Sequence, residues 1–264
     1  MGTNIPKRIY YCWFGGNPLP EFAQSCISSW TKYCSDYEIV EINENNFDLN
    51  YCTYVKEAYE AKKWAFVSDV ARLHALVTNG GIYMDTDVEL LKPLDELLDN
   101  QAVCGFETDS TIGTAVIMCT KAHPMFSEML DGYTDSRFVK PDGSYDITTN
   151  VKRLSDLCVK YGMFADNSEQ TVNGVLLLPR DYFSPKDFFT KKLSITENTH
   201  AIHHFDGSWV SLEDKTAAEL TGKYKKFLPM RLAGYLAKFV AVKRHRGLKC
   251  AINDTLGWII KKRR

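Results

Sequence analysis

Several features are missing from this chain, and each absence narrows what it can be. Its 264 residues contain no run of 18 or more apolar residues, so no membrane-spanning helix is expected. The start, Met1 to Arg8, has no apolar segment of the kind that opens a secretion signal. Pro6 stands where a myristoylation signal needs Ser or Thr. The eight cysteines, at 12, 26, 34, 52, 104, 119, 158 and 250, form no CxxC pair and no zinc-finger spacing. They read as reduced thiols of a cytosolic protein. Internal repeats are absent, and Gly and Pro are too dispersed to make a long flexible linker. With 45% hydrophobic and 25% charged residues, the composition excludes disorder, collagen-like repeats and a coiled-coil rod.

The formal net charge of -1 conceals an asymmetry. Residues 223–264 carry 13 Lys and Arg against one acid, Asp254, whereas residues 1–222 carry 19 against 32. An acidic body of residues 1–222 therefore ends in a basic extension, 223–264. In that extension Phe227, Leu228, Leu232, Tyr235, Leu236, Phe239 and Val240 alternate with cations. The pattern predicts basic amphipathic helices, suited to an anionic membrane surface or to capping the acidic body. Aromatics are too sparse there for single-stranded nucleic acid, so no nucleic-acid partner is expected.

In the body, strand and helix patterns alternate. Ile9–Phe14, Glu38–Ile42, Ile82–Met84, Val88–Leu91, Ala102–Phe106, Thr114–Cys119, Val175–Leu178 and Ala201–Phe205 read as strands. Pro20–Cys34, Tyr54–Lys62 and Trp64–Thr78 read as helices, the last stopped by Asn79-Gly80-Gly81. This alternation predicts an α/β fold with a largely parallel sheet, Ala201–Phe205 closing its core. Ligands of such sheets bind beyond the carboxyl ends of the strands. Residues 107–172 carry no readable motif and are expected to shape an acceptor site.

The chemistry is sought at four places. Asp85-Thr86-Asp87 follows a buried strand. On extended backbone its two carboxylates face one spot, which suits Mg²⁺ or Mn²⁺ held together with phosphate oxygens. About one DxD is expected by chance in a chain this long, so context must support it. Asp69 and Arg72 share a helix face at i, i+3. A surface ion pair is the plain reading, and a rigid grip on sugar hydroxyls and phosphate is the alternative. His203 and His204 precede Phe205-Asp206-Gly207-Ser208-Trp209. Either can be a third metal ligand, and His204 is preferred because its spacing to Ser208 lets a loop fold back over a diphosphate. Trp13, beside Gly15-Gly16, fills a core or presents a face for a base to stack on.

Taken together, these residues resemble glycosyltransferase family 32. That family contains yeast-type α-mannosyltransferases and capsule-synthesis enzymes and is remotely similar to the glucosylating domains of clostridial toxins. The resemblance covers about the first 210 residues. It rests on Ile5 to Gly16, on Ser68-Asp69-Val70-Ala71-Arg72, on Gly80 to Asp87, and on His203-His204 with Ser208-Trp209. It implies a GT-A fold, a nucleotide-sugar donor, Mn²⁺ or Mg²⁺, and retention of anomeric configuration. Trp13 would then stack on the uracil of a UDP-sugar, with Gly15 and Tyr83 in the same donor-binding motifs. Asp69 and Arg72 would hold the donor sugar, Asp85 would contact ribose and metal, and Asp87 would chelate the metal. Ser208-Trp209 would close on the β-phosphate. Where the toxin domains have an acidic residue near this loop, the present chain offers His.

The expected function is metal-dependent transfer of a sugar to a growing oligosaccharide, polyprenyl-linked if residues 223–264 meet lipid. The expected location is the cytoplasmic face of a bacterial plasma membrane, in assembly of surface polysaccharide. Two competing readings are a glycoside hydrolase, whose carboxyls must flank a sugar about 5–10 Å apart, and a non-catalytic membrane-surface module.

Overall fold

The computed structural model describes residues 4–188, 190–207 and 212–261. These fall into two compact units, Met1–Lys186 with Leu193–His204, and Asp187–Lys192 with Phe205–Arg264.

The first unit is built on a seven-stranded sheet. β1 (Arg8–Cys12) and β2 (Glu38–Ile42) pair in parallel, Arg8 opposite Glu38 and Cys12 opposite Ile42, with α1 (Glu21–Tyr33) between them in sequence. α2 (Thr53–Glu60) and α3 (Trp64–Asn79) then lead to β3 (Gly81–Met84), which pairs in parallel with the other side of β1. β4 (Val88–Leu90) follows, then β5 (Ala102–Phe106) and β6 (Ile112–Cys119). α4 (Pro124–Asp131), α5 (Asn150–Lys160), β7 (Gln170–Val172), β8 (Val175–Leu178) and β9 (Ala201–His203) complete the unit. The sheet order is β2-β1-β3-β6-β5-β8-β7. β6 and β7 run against the other five strands. This is the mixed, mostly parallel α/β architecture expected.

Both faces of the sheet are covered, which explains why its strands read as unbroken apolar runs. Tyr10, Tyr83, Cys104 and Ile117 enter the core shared with α2, α3, α4 and α5. Ile9, Tyr11, Ile82, Met84, Val103 and Met118 enter the core shared with α1. α3 is buried from Phe66 through Leu73 and again at Ala75 and Leu76. Gly80 ends it at φ +69°, its N–H donating to Leu76 O. At Gly81 (φ +122°) a Cβ would lie 2.8 Å from Arg8 O, so only glycine lets β3 come this close to β1.

One strand departs from expectation. Ala201–Phe205 was expected to close the main core, but β9 pairs only with β4, in a separate two-stranded sheet with Val88 opposite His203. The stretch without readable motifs holds α4, α5 and β7. The Thr149 hydroxyl caps α5 by accepting from Lys152 N–H. All eight cysteines are free thiols, six of them buried.

The second unit contains α6 (Leu212–Tyr224), α7 (Met230–Arg246) and α8 (Leu248–Lys261). Ala233, Ala237, Ala241 and Val242 are the buried stripe of α7. Glu213 accepts from Arg246 and pairs with Lys238, tying α6 to α7. The basic stretch is divided between the end of α6 and α7 by residues 225–229, where Pro229 precedes the first turn of α7. The 222/223 division expected from charge falls within α6.

Candidate active site

The site lies where β1 and β3 end. Asp85-Thr86-Asp87 is not extended strand, as the spacing suggested, but a tight turn between β3 and β4 closed by Val88 N–H donating to Asp85 O at 3.0 Å. The turn still brings the two carboxylates together, and His203 joins them. Oxygens of Asp85 and Asp87 and one ring nitrogen of His203 all lie within 4.8 Å of one another. His203 Nε2 is 3.6 Å from Asp87 Oδ1.

The preference for His204 is corrected by strand register. Pairing of β9 with β4 turns the two histidines to opposite faces. His203 faces the aspartates, whereas His204 Nε2 lies 2.8 Å from Glu89 Oε2 with its ring edge-on to Phe22. Ser208 and Trp209 lie outside the described residues.

Beneath the turn is a buried polar cluster. Arg72 donates from Nη1 to Thr114 O at 2.8 Å and from Nε to Ser68 O at 3.3 Å. Its guanidinium also pairs with Asp85 Oδ1 at 3.2 Å and Asp69 Oδ1 at 3.4 Å, with only 7% of the side chain exposed. The Tyr83 hydroxyl donates to Asp85 Oδ1 at 2.8 Å, and Arg72 packs over the Tyr83 ring. Asp69 and Arg72 are therefore not a surface pair. Arg72 is fully engaged with backbone and carboxylates, so its position suits holding Asp69 and Asp85 in place. Burial raises the Asp69 carboxyl to about 6, opposed by the charge of Arg72. Burial likewise pushes the Cys12 thiol up to about 12, which makes it an inert wall of the site.

Trp13 is half-buried directly after β1, its Nε1–H donating to Asn17 O. At Gly15 (φ +95°) a Cβ would lie 2.7 Å from Trp64 Nε1, so the turn needs glycine there, and Gly15 N–H donates to Glu44 Oε1.

Two residues escaped the sequence reading. Asn150, at the start of α5, donates from Nδ2 to Asp69 O and accepts from the Tyr133 hydroxyl, locking α5 onto α3. Glu107 follows β5, and its Oε2 lies 3.9 Å from His203 Nδ1. Burial, together with Asp85 and Asp87, holds its carboxyl above the ordinary range, opposed by His203. No spacing rule links 107 to 85 or 203, and only the sheet order brings them together. Arg72 pairs with Asp69 and Asp85, and Asp87 and Glu107 lie on the two sides of His203, so four carboxylates gather near one guanidinium. That excess of carboxylate, with an imidazole nitrogen added, fits a divalent cation such as Mn²⁺ or Mg²⁺.

Residues 20–104, which include Asp69, Arg72, Asp85 and Asp87, match the family described as "Glycosyltransferase sugar-binding region containing DXD motif". Residues 20–104 are thus similar to a DXD-type glycosyltransferase region. This agrees with the motif resemblance. Among curated proteins, subversion of eukaryotic traffic protein A of Legionella pneumophila (strain Philadelphia 1) is 21% identical over 190 residues. The match covers 58% of this chain and only 28% of that protein's length. Among solved structures, the PaToxG glycosyltransferase is similar at TM-score 0.45 and 18% identity, over 60% of this chain and 69% of that one. A glycosyltransferase involved in glycosylation of the major capsid of PBCV-1 gives 0.43 and 12%, over 76% and 94%. Galactosyltransferase LgtC, in complex with donor and acceptor sugar analogs, gives 0.41 and 12%, over 76% and 88%.

Proposed function

We propose that the protein is a metal-dependent, retaining glycosyltransferase that moves a sugar from a UDP-sugar to a growing oligosaccharide. The observation that carries this reading is the convergence of Asp85, Asp87 and His203, above an Arg72 that fixes Asp69 and Asp85. Asp85, Asp87 and His203 would hold the cation. When bound, Mn²⁺ or Mg²⁺ supplies Lewis-acid neutralisation of a diphosphate's charge. Arg72 holds two carboxylates in fixed orientation, which removes the cost of arranging them when substrate binds. Asp69, anchored through Arg72 and backed by Asn150, is positioned to accept hydrogen bonds from donor-sugar hydroxyls. Trp13 offers a ring face to the uracil at the same end of the sheet. Carboxylates this close share one ion more readily than they flank a sugar as acid and base, which disfavours the hydrolase reading.

The acceptor is proposed to be a polyprenyl-linked oligosaccharide of bacterial surface polysaccharide assembly, met at the cytoplasmic membrane face. Among the described residues no helix is long and apolar enough to cross a membrane. The turn between α6 and α7 supports surface binding instead. Phe227 is 86% exposed there, Met230 and Leu232 are exposed beside it, and Lys223, Lys225, Lys226 and Arg231 flank them in sequence, Lys223 being paired with Glu219. Apolar side chains flanked by cations suit the interface of an anionic bilayer.

The test is a donor screen. The protein is incubated with Mn²⁺ and a panel of nucleotide sugars, with and without oligosaccharide acceptors, and released nucleotide is measured. UDP release from one UDP-sugar, increased by acceptor and abolished by chelation, is the expected result. Release of nucleotide from none of the panel would refute the transferase reading. Cleavage of glycosides without nucleotide would favour the hydrolase.

A further inference from the structure

We infer that Glu107 is a positioning residue, which orients His203 so that its Nε2 points at the Asp85–Asp87 turn. The inference rests on the metal reading proposed above.

Four observations place Glu107 in this role. First, the two ring nitrogens of His203 face two different carboxylates, Nε2 toward Asp87 at 3.6 Å and Nδ1 toward Glu107 at 3.9 Å. An imidazole that ligates through one nitrogen needs its proton on the other, and a carboxylate on that side fixes both tautomer and ring plane. Second, Glu107 is held inward, with 19% of its side chain exposed. Its backbone N–H donates to Thr111 O at 2.8 Å, in a turn pinned further by the hydroxyl pair Thr108–Thr111. Third, the strand pairing is bent at this place. β5 and β6 lose register between Cys104 and Phe106, where Phe106 faces Ile112 although Cys104 faces Ile117. Irregularities of this kind re-aim side chains beside active sites. Fourth, room has been left for the carboxylate. A Cβ on Gly113 would lie 3.3 Å from Glu107 Cβ and 3.6 Å from its Oε2. Gly113 does not have a positive φ, so space rather than backbone conformation favours glycine there.

The 3.9 Å separation is about 1 Å beyond a hydrogen bond. Rotation of the Glu107 side chain would close that gap. Glu107 then accepts from Nδ1–H, leaving the Nε2 lone pair for the cation. A carboxylate with a purely structural role in the β5–β6 turn would affect folding but not the affinity for metal.

The experiment measures Mn²⁺ binding by titration calorimetry and by electron paramagnetic resonance for the wild-type protein, Glu107→Gln and Asp87→Asn. Glu107→Gln is expected to bind Mn²⁺ about 10–100-fold more weakly, with an unchanged thermal midpoint in chelator. In parallel, long-range ¹H–¹⁵N spectra of the Mg²⁺-loaded wild-type protein are expected to show His203 protonated at Nδ1. That readout does not depend on how the variant folds. Wild-type affinity in Glu107→Gln, or a His203 proton on Nε2, overturns the inference. If Asp87→Asn has meanwhile lost Mn²⁺, the metal reading stands without Glu107; if Asp87→Asn also binds like wild type, both fall.

Discussion

Asp87 and Asp69 belong to one site yet sit under different electrostatic conditions. Asp87 belongs to the turn that would meet a cation and is partly open to solvent. Replacing it by the isosteric Asn removes a charge without opening a cavity. Asp87→Asn is therefore expected to lower Mn²⁺-dependent UDP-sugar turnover by at least ~100-fold, with an unchanged circular dichroism spectrum. Retained turnover would remove Asp87 from the site. Asp69 is buried, and its carboxyl is raised from 3.8 to about 6. Between pH 4 and pH 6 the folded protein then binds a proton that the unfolded chain has released. The stability contributed by this proton is full below pH 4 and is lost as pH rises through about 6. Asp69→Asn lacks that dependence. Urea titrations in chelator should show wild type losing stability relative to Asp69→Asn over pH 4–7, by at most about 3 kcal/mol. A gap that stays constant with pH would mean that burial does not control this carboxyl.

At the scale of elements, the site depends on how tightly β3 fits between its neighbours. Gly81 carries a positive φ and faces Arg8 O where a Cβ would be. Gly81→Ala combines backbone strain with a steric clash against main chain, and neither can be relieved by rotating a side chain. A loss of at least ~2 kcal/mol in urea unfolding is expected, together with weaker Mn²⁺ binding, because the DxD turn follows β3 directly. An unchanged midpoint would show that β1 and β3 can separate. α3 matters for the same reason. Its first residues line the core, while Asp69 and Arg72 on the next turn point to the strand ends, so repacking the helix displaces two site residues at once.

At the scale of the whole molecule, the second unit offers a surface distinct in composition from the first. Removing residues 223–264 would cut α6 near its end and strip it of α7, so that deletion tests folding rather than binding. Point changes at the α6–α7 turn are cleaner. Phe227→Ala with Met230→Ala and Leu232→Ala, all exposed, is expected to reduce binding to vesicles of about 30 mol% anionic lipid by tenfold or more. Lys226→Gln with Arg231→Gln should weaken it by about 1 kcal/mol per charge, and neither set should affect UDP release in detergent-free solution. Undiminished co-flotation of both variants would exclude this turn as the membrane contact.

Local pattern alone determined much of this protein. Apolar runs bounded by glycine or polar clusters gave most strands of the sheet, because strands buried on both faces must be apolar throughout. The Gly80-Gly81 stop, the carboxylate pair of the DxD and the pair at 69 and 72 were readable because each is local, although the turn that holds the DxD was not. What remained depended on contacts between distant segments. That His203 rather than His204 faces the aspartates follows from the register of β9 on β4. That Arg72 is buried follows from Thr114 O lying beside it, and that Glu107 reaches His203 follows from the loss of register between β5 and β6. Sequence fixes which side chains alternate along a strand, but the pairing partner decides which face meets the site, and a one-residue slip would exchange the two.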